Sequence, residues 1–165
     1  MFSFLFFLTI FAQFLGYNNY IEFYGWSDDS STFFYRETKV SKNENEEKKE
    51  DIYYQCQIGP KDTIISEKIS NQNDFLSLLI KKGRIKIPVK RESIGENAYL
   101  FSIEGKLTLK FEVILKEDMY FYLKYHNSTN SPIILEGKLD DIYVTLTPSL
   151  YISPDKRKGI LILQK

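Results

Sequence analysis

Polar and apolar side chains alternate along much of the chain, and this period of two is typical of β-strands with one buried face. The clearest strand covers residues 106–116, where alternate residues are apolar and only Ile114 breaks the pattern. Residues 84–90 repeat the alternation, with Pro88 among the outward-facing residues. Because proline cannot donate a ladder hydrogen bond, we expect this strand at the edge of a sheet.

Other short segments alternate in the same way or are rich in β-branched and aromatic residues, which pack well on a pleated surface. They predict strands over residues 20–26, 32–40, 52–58, 63–69, 99–103, 119–125, 132–135, 141–147 and 159–163. Residues 73–82 differ, because they begin with capping residues and are followed by Gly83, which predicts one short helix near residues 74–82. Many short strands with turn sequences between them predict an all-β fold, either a two-sheet sandwich or a barrel.

The N-terminal segment differs from the rest of the chain, because residues 1–16 contain no charged side chain. Their apolar stretch of about twelve positions fits the core of a signal peptide and is shorter than the roughly 20 residues that span a bilayer. We expect a cleaved signal peptide over residues 1–16 and a single secreted domain over residues 17–165. A buried N-terminal strand or helix is the alternative. No second apolar run approaches bilayer length, so no transmembrane segment is expected.

The overall charge is balanced, with 22 Lys and Arg residues against 22 Asp and Glu residues. A neutral chain has no overall field that attracts nucleic acid or an anionic membrane, so the sequence predicts no nucleic-acid partner. Many of the charges fall in residues 41–51, which include no apolar side chain. Such a segment predicts a mobile, solvated loop between two strands.

Cys56 is the only thiol and His126 the only imidazole, which excludes a disulfide framework and the usual zinc site built from these two residue types. Within residues 52–58, Cys56 shares an alternate face with Ile52 and Ile58. We therefore expect Cys56 to be an unpaired, buried core residue. An intermolecular disulfide is the alternative in an oxidising compartment.

Residue patterns that support catalysis are sparse in this sequence. A nucleophile and a base must come within reach of one another, and no local pattern links Cys56 with His126. The paired aspartates at residues 28–29 and 140–141 are candidate calcium ligands, but adjacent side chains in a strand point to opposite faces. No glycine-rich phosphate loop or zinc-protease motif occurs. The sequence therefore predicts a protein that is not an enzyme, with no catalytic residue, metal site or cofactor.

Asn127-Ser128-Thr129 is an acceptor sequence for an N-linked glycan and lies in a polar stretch between two predicted strands. Together with the predicted signal peptide, it predicts a glycoprotein that is modified at Asn127. Tyr120 and Tyr122 are candidates for a sugar-binding or protein-binding surface, although cross-strand packing is the commoner use of such side chains.

Four segments of the C-terminal half follow one another in a defined order. A turn leads into a strand that ends in Gly, and a later strand closes with a Tyr-x-His-type segment. A Pro-x-x-Tyr stretch and a Gly-led final strand come after them. These segments are residues 95–105, 118–127, 148–152 and 159–163.

In this order and spacing, residues 92–165 resemble the nematode transthyretin-like family of small secreted proteins. The chain departs from the family at Ser128, where members have a Cys that pairs with another Cys downstream. The resemblance implies a two-sheet antiparallel β-sandwich of the transthyretin, or prealbumin, type. It also implies a secreted, extracellular binding or signalling protein without catalysis, whose partner is an extracellular protein or a small apolar ligand. The alternative is an unrelated secreted β-sandwich that acts as an interaction or effector module.

Overall fold

The computed structural model describes residues 8–11, 19–60, 63–96, 98–103, 107–115, 120–127, 130–138 and 147–164. Its strands and helix follow in the order β1 (Leu8–Phe11), β2 (Asn19–Trp26), β3 (Thr32–Lys42), β4 (Glu47–Ile58), β5 (Ile64–Ile69), α1 (Gln72–Lys82), β6 (Ile87–Pro88), β7 (Lys90–Gly95), β8 (Ala98–Ile103), β9 (Leu107–Leu115), β10 (Tyr120–Asn127), β11 (Asn130–Lys138), β12 (Thr147–Ile152) and β13 (Gly159–Gln164). The prediction of an all-β fold with one short helix near residues 74–82 is confirmed, and the antiparallel sheets are consistent with a sandwich-like fold.

The described strands form three sheets. Two of them are meanders, in which each strand pairs with its neighbour in the sequence, in the orders β2-β3-β4-β5 and β11-β10-β9-β8-β7. All the pairings recorded within these meanders are antiparallel. The third sheet has the order β1-β13-β12-β6, so Pro88 lies in a strand at a sheet edge, as the sequence predicts.

The chain divides into two compact units. The first comprises Met1–Thr9, Tyr17–Ile87 and Tyr151–Ile160, and the second comprises Ile10–Gly16, Pro88–Leu150 and Leu161–Lys165. The first contains the β2–β5 meander and α1, and the second contains the β7–β11 meander. The single domain over residues 17–165 and the signal peptide over residues 1–16 stay predictions, and β1 lies within that N-terminal segment.

Helix α1 packs on one face of the β2–β5 sheet. Phe75 and Leu79 of the helix are buried together with Phe34, Tyr53 and Ile69 of the strands. The Phe75 ring is the centre of this cluster, with its centroid 4.9 Å from that of Tyr53 and 6.1 Å from that of Phe34. Burying a side chain of this size contributes about 1.5–3 kcal/mol, so this packing, more than helix propensity, holds α1 in place.

The ends of α1 are fixed by local chemistry. The side chain of Asn71 caps the first turn, because its Oδ1 accepts a hydrogen bond of 2.9 Å from the Asp74 amide. Lys81 and Lys82 lie in the last turn, where cations interact favourably with the helix dipole. Gly83 ends the helix at φ 83°, and a Cβ at this position would collide with the Asp28 carboxylate.

The strand predicted over residues 84–90 is wrong as one continuous element. Ile85 forms only an isolated bridge with Trp26, and β6 is limited to Ile87–Pro88. The breaks in this segment lie at Lys86 and Val89, on either side of β6. The Val89 amide donates a hydrogen bond of 2.9 Å to the Leu150 carbonyl.

Residues 41–51 form the end of the β3–β4 hairpin, where the sequence predicts a loop. Lys42 pairs with Glu47, and the short connection is closed by reciprocal backbone hydrogen bonds of 3.0 and 3.3 Å between Asn43 and Glu46. The segment forms strands without apolar residues, and opposite charges face each other across the hairpin, as in the 3.5 Å pair of Lys42 with Glu47. The predicted mobility of this segment stays a prediction.

The other predicted strands that lie in described residues agree with β2, β3, β4, β5, β8, β9, β10, β11 and β13. The strand predicted over residues 141–147 lies outside the described residues except at Thr147, the first residue of β12. The alternation pattern does not predict strands β7 (Lys90–Gly95) and β12 (Thr147–Ile152). In the part of the chain that the structure describes, no helix has the length and apolar character needed to cross a membrane.

Candidate functional site

Cys56 lies in β4, opposite Phe33 of β3 and Ser66 of β5, and its side chain is fully buried. Its Sγ donates a hydrogen bond of 3.3 Å to Ser66 Oγ. Desolvation by burial raises the pKa of the thiol to about 11, against the opposing effect of the Ser66 hydrogen bond. Because the thiolate is the reactive form, Cys56 is a poor nucleophile at neutral pH. The intermolecular disulfide would require this side chain to leave its buried position.

A carboxylate lies on the same face of the sheet as Cys56. Glu37 follows Phe33 and Tyr35 at alternate positions of β3, and its side chain is only 2% exposed. Tyr54 Oη donates a hydrogen bond of 3.4 Å to Glu37 Oε2. The other oxygen, Oε1, lies 3.9 Å from Lys39 Nζ and has no hydrogen-bond partner in the described residues. A buried carboxylate with an unused acceptor oxygen is uncommon, because burial of a charged group is costly unless it is fully paired.

Aromatic rings surround this carboxylate. Tyr35 and Tyr54 face each other across β3 and β4 with ring centroids 4.8 Å apart and an angle of 15° between the planes. Burial raises the pKa of Tyr54, and the Coulombic effect and hydrogen bond of Glu37 raise it further. Tyr54 is therefore a neutral phenol at physiological pH, with its proton directed at Glu37. We call Tyr35, Glu37 and Tyr54 the phenol–carboxylate cluster.

Asp29, one of the paired acids noted in the sequence, closes the turn between β2 and β3. Its Oδ1 accepts hydrogen bonds from Ser27 Oγ at 2.6 Å, Ser31 N at 3.0 Å and Ser31 Oγ at 2.7 Å. These bonds, that of the Ser27 hydroxyl first, lower the pKa of Asp29 to about 2. The carboxylate is therefore committed to holding the turn, which is a structural role for an acid that the sequence left as a candidate calcium ligand.

The turn between β12 and β13 repeats this arrangement. Ser153 Oγ donates to Asp155 Oδ1 at 2.6 Å, as Ser27 does to Asp29, and the Arg157 amide donates to the same oxygen at 3.0 Å. Each turn also has one residue in the left-handed region at the equivalent position, Ser30 with φ 60° and Lys156 with φ 58°. We call these two segments, residues 27–32 and 153–158, the serine–aspartate turns.

The two serine–aspartate turns contact each other through Ser30. The amide of Asp155 donates a hydrogen bond of 3.0 Å to Ser30 Oγ. The Ser30 carbonyl accepts one of 2.9 Å from Lys158 Nζ. Ser30 is buried, so these contacts satisfy polar atoms that water does not reach.

The end of the β3–β4 hairpin is the most highly charged surface among the described residues. Within the described residues, β2 pairs with β3 as far as Lys39, and β5 pairs with β4 as far as Tyr53. Residues 40–49 pair with each other as a two-stranded ribbon in the described structure, and all the side chains of residues 40–51 except Val40 are exposed. We call residues 40–51 the charged ribbon.

Several residues singled out in the sequence have described backbones only. His126 lies in β10 opposite Lys110 of β9, and Asn127 ends β10 by pairing with Asn130 of β11. The predicted glycan acceptor Asn127 therefore stands at the base of a short hairpin connection. Tyr120 and Tyr122 also lie in β10. The paired aspartates at residues 140–141 lie outside the described residues.

The described residues contain no group of three or more His, Cys, Asp or Glu side chains that could hold a metal ion. Glu37 was missed in the sequence, although one signal pointed to it. It is the acid at an alternate position that otherwise carries buried aromatic residues, Phe33 and Tyr35.

The chain was compared with known protein families, curated proteins and solved structures. Searches against models of protein families, curated proteins and solved structures found no match. The resemblance of residues 92–165 to the transthyretin-like family therefore stays a prediction from the sequence.

Proposed function

We propose that this chain is a secreted, extracellular binding or signalling protein without catalytic activity, and that it contacts another extracellular protein through the charged ribbon. A role of this kind is what the transthyretin-like resemblance implies. It is equally the role of the alternative, an unrelated secreted interaction module. The observation that carries the proposal is the exposure of the charged side chains of residues 41–51 at the end of the β3–β4 hairpin.

The side chains best suited to chemistry in the first unit support a binding role. Cys56 is buried and its pKa is raised to about 11, which disfavours a thiol nucleophile. Asp29 is held in its turn by hydrogen bonds from Ser27 and Ser31. A general base or nucleophile must instead be free to reach a substrate.

The charged side chains of the ribbon can exchange their present ion pairs for ion pairs with a partner while the free protein loses little stability. Glu47 lies 3.5 Å from Lys42 and 3.3 Å from Lys49, and all three side chains are largely exposed. Exposed ion pairs of this kind contribute about 0–1 kcal/mol each, because water already solvates both charges. Exchanging them for ion pairs with a partner therefore sacrifices little stability of the free protein, while complementary charges speed and orient the encounter.

A pair of ribbon variants tests the proposal. Lys42 and Glu47 are both replaced by Thr, which keeps the net charge and the β propensity of the hairpin. The control makes the same change to Thr at Lys90 and Glu92 of β7, which are an exposed pair of the same charges in another strand. Each protein is isolated from the medium of secreting cells and crosslinked to the extracellular proteins around it, and the crosslinked positions are then mapped.

We expect wild type and the β7 control to crosslink one partner through the ribbon, with capture that weakens as salt is added. The ribbon variant should lose that partner. Equal capture by the ribbon variant would contradict the ribbon as the binding surface. Capture of a small apolar molecule instead would favour the other partner class. Turnover of ester, peptide or glycoside substrates that disappears in His126→Ala would refute the non-catalytic role.

A further inference from the structure

We propose that Tyr54 is a site of one-electron oxidation, in which an outer-sphere oxidant takes an electron from the phenol while Glu37 takes its proton. This inference concerns the phenol–carboxylate cluster and is independent of the proposed binding role. It rests on the position of the buried carboxylate, the direction of the Tyr54 hydroxyl and the stacking of Tyr35.

The first step of the argument is the direction of the proton. Tyr54 Oη donates a hydrogen bond of 3.4 Å to Glu37 Oε2, so the hydroxyl group is directed at its proton acceptor. This distance is longer than the usual 2.7–2.8 Å of an O–H···O bond, so the carboxylate has to approach by several tenths of an ångström. No hydrogen bond to Oε1 restrains it in the described residues, where Lys39 Nζ at 3.9 Å is the nearest opposite charge.

The second step is the need for such an acceptor. A phenol that loses an electron becomes a strong acid, so its oxidation is easier when a base removes the proton in the same event. Burial raises the pKa of Tyr54, which means that the phenolate, the form oxidised without proton transfer, is scarce at neutral pH. The rate of one-electron oxidation of Tyr54 therefore depends on a proton acceptor that is held next to its hydroxyl group.

The third step is the contrast with two other tyrosines. Tyr20 is 65% exposed, so an oxidant reaches it readily, and no acceptor for its hydroxyl proton occurs in the described residues, so the proton goes to water or buffer. Tyr24 has a hydrogen bond to Glu22, whose carboxylate is half-exposed and lies 2.7 Å from Arg36. Glu22 is therefore already committed to a cation, whereas Glu37 keeps an oxygen without a hydrogen bond.

The step balances as a transfer of one electron and one proton. Tyr54 loses one electron to the oxidant and its hydroxyl proton to Glu37, giving a neutral phenoxyl radical, a protonated Glu37 and a reduced oxidant. The Tyr35 ring stacks on the Tyr54 ring, with the centroids 4.8 Å apart and an angle of 15° between the planes. The oxidant class is an outer-sphere metal complex or an oxidised haem enzyme.

The test uses the full chain and photogenerated tris(bipyridyl)ruthenium(III), with brief illumination and mass mapping of the oxidised tyrosines. In wild type we expect modification at Tyr54 at least as fast as at the more exposed Tyr20. Glu37→Gln keeps the shape of the side chain but removes the base, and should slow modification at Tyr54 about ten-fold or more. Glu22→Gln is the matched control and should leave Tyr54 unchanged.

A second measurement keeps the proposal testable if Glu37→Gln fails to fold. In wild type, an internal acceptor makes the rate at Tyr54 independent of the concentration of buffer base, whereas the rate at Tyr20 rises with it. Independence at Tyr54 supports the proposal. A rate at Tyr54 that rises with buffer base, or an equal rate in folded Glu37→Gln, overturns it and leaves the hydrogen bond a structural one.

Discussion

Replacing Ser27 by Ala removes the hydroxyl at the centre of the first serine–aspartate turn. Ser27 Oγ donates to Asp29 Oδ1 at 2.6 Å and accepts a hydrogen bond of 3.0 Å from the Thr32 amide. Both Ser27 and Thr32 are buried. The variant therefore loses an acceptor for an amide that water does not readily reach.

The two lost contacts have different energetic weights. Leaving a buried amide without a partner costs about 1–3 kcal/mol. The loss at Asp29 is smaller, because that carboxylate is exposed and water replaces the hydroxyl. We therefore expect Ser27→Ala to lower the free energy of unfolding by about 2 kcal/mol, a substantial part of the roughly 5–15 kcal/mol that stabilises a typical domain.

Urea denaturation of wild type, Ser27→Ala and Ser31→Ala measures this loss. Ser31 Oγ also donates to Asp29, at 2.7 Å, but this hydrogen bond is exposed, so its removal should cost about 0.5 kcal/mol or less. The comparison therefore holds the Asp29 acceptor and the Ser→Ala change constant, and the two variants differ in the loss of the acceptor for the buried Thr32 amide. Equal losses of stability in the two variants, with unchanged denaturant slopes, would refute the argument from the buried Thr32 amide.

Three further predictions concern single residues. The pKa of Asp29 is lowered from 3.8 in the unfolded chain to about 2, so the stability that its carboxylate contributes is complete above about pH 4 and is lost as the pH falls from about 4 towards 2. Acid unfolding of Asp29→Asn should therefore lack the loss of stability in this pH range, and an acid-unfolding profile equal to that of wild type would contradict the prediction. Cys56 should react slowly with a thiol reagent in the folded protein and rapidly after denaturation, whereas a mainly dimeric band on a non-reducing gel would identify an intermolecular disulfide. Secreted protein should lose mass on treatment with an N-glycosidase, and both Asn127→Gln and Thr129→Ala should abolish that loss; a secreted wild type without a glycan would contradict the assignment.

The strands that could be predicted are those that bury apolar or aromatic side chains. Strand β3 is an example, because Phe33, Phe34 and Tyr35 are all buried and this aromatic run is typical of a strand. The β7 strand escapes this reasoning, since all of its side chains are exposed and no alternation results. The strands of the charged ribbon could not be predicted for the same reason, because the side chains of residues 41–51 are exposed. Its strands are held by backbone pairing and cross-strand charges, which leave no hydrophobic signal in the sequence.

The serine–aspartate turns show a different limit of sequence reasoning. Ser27-x-Asp29 and Ser153-x-Asp155 have the same spacing, and each lies between two strands, so the pattern was available in the sequence. A Ser-x-Asp pair alone is common and predicts little beyond a turn. What distinguishes these two is that both serines are buried, which depends on residues distant in the sequence. The burial of Glu37 also depends on residues distant in the sequence. An acid at an alternate position of a strand becomes unusual only when neighbouring strands bury its side chain.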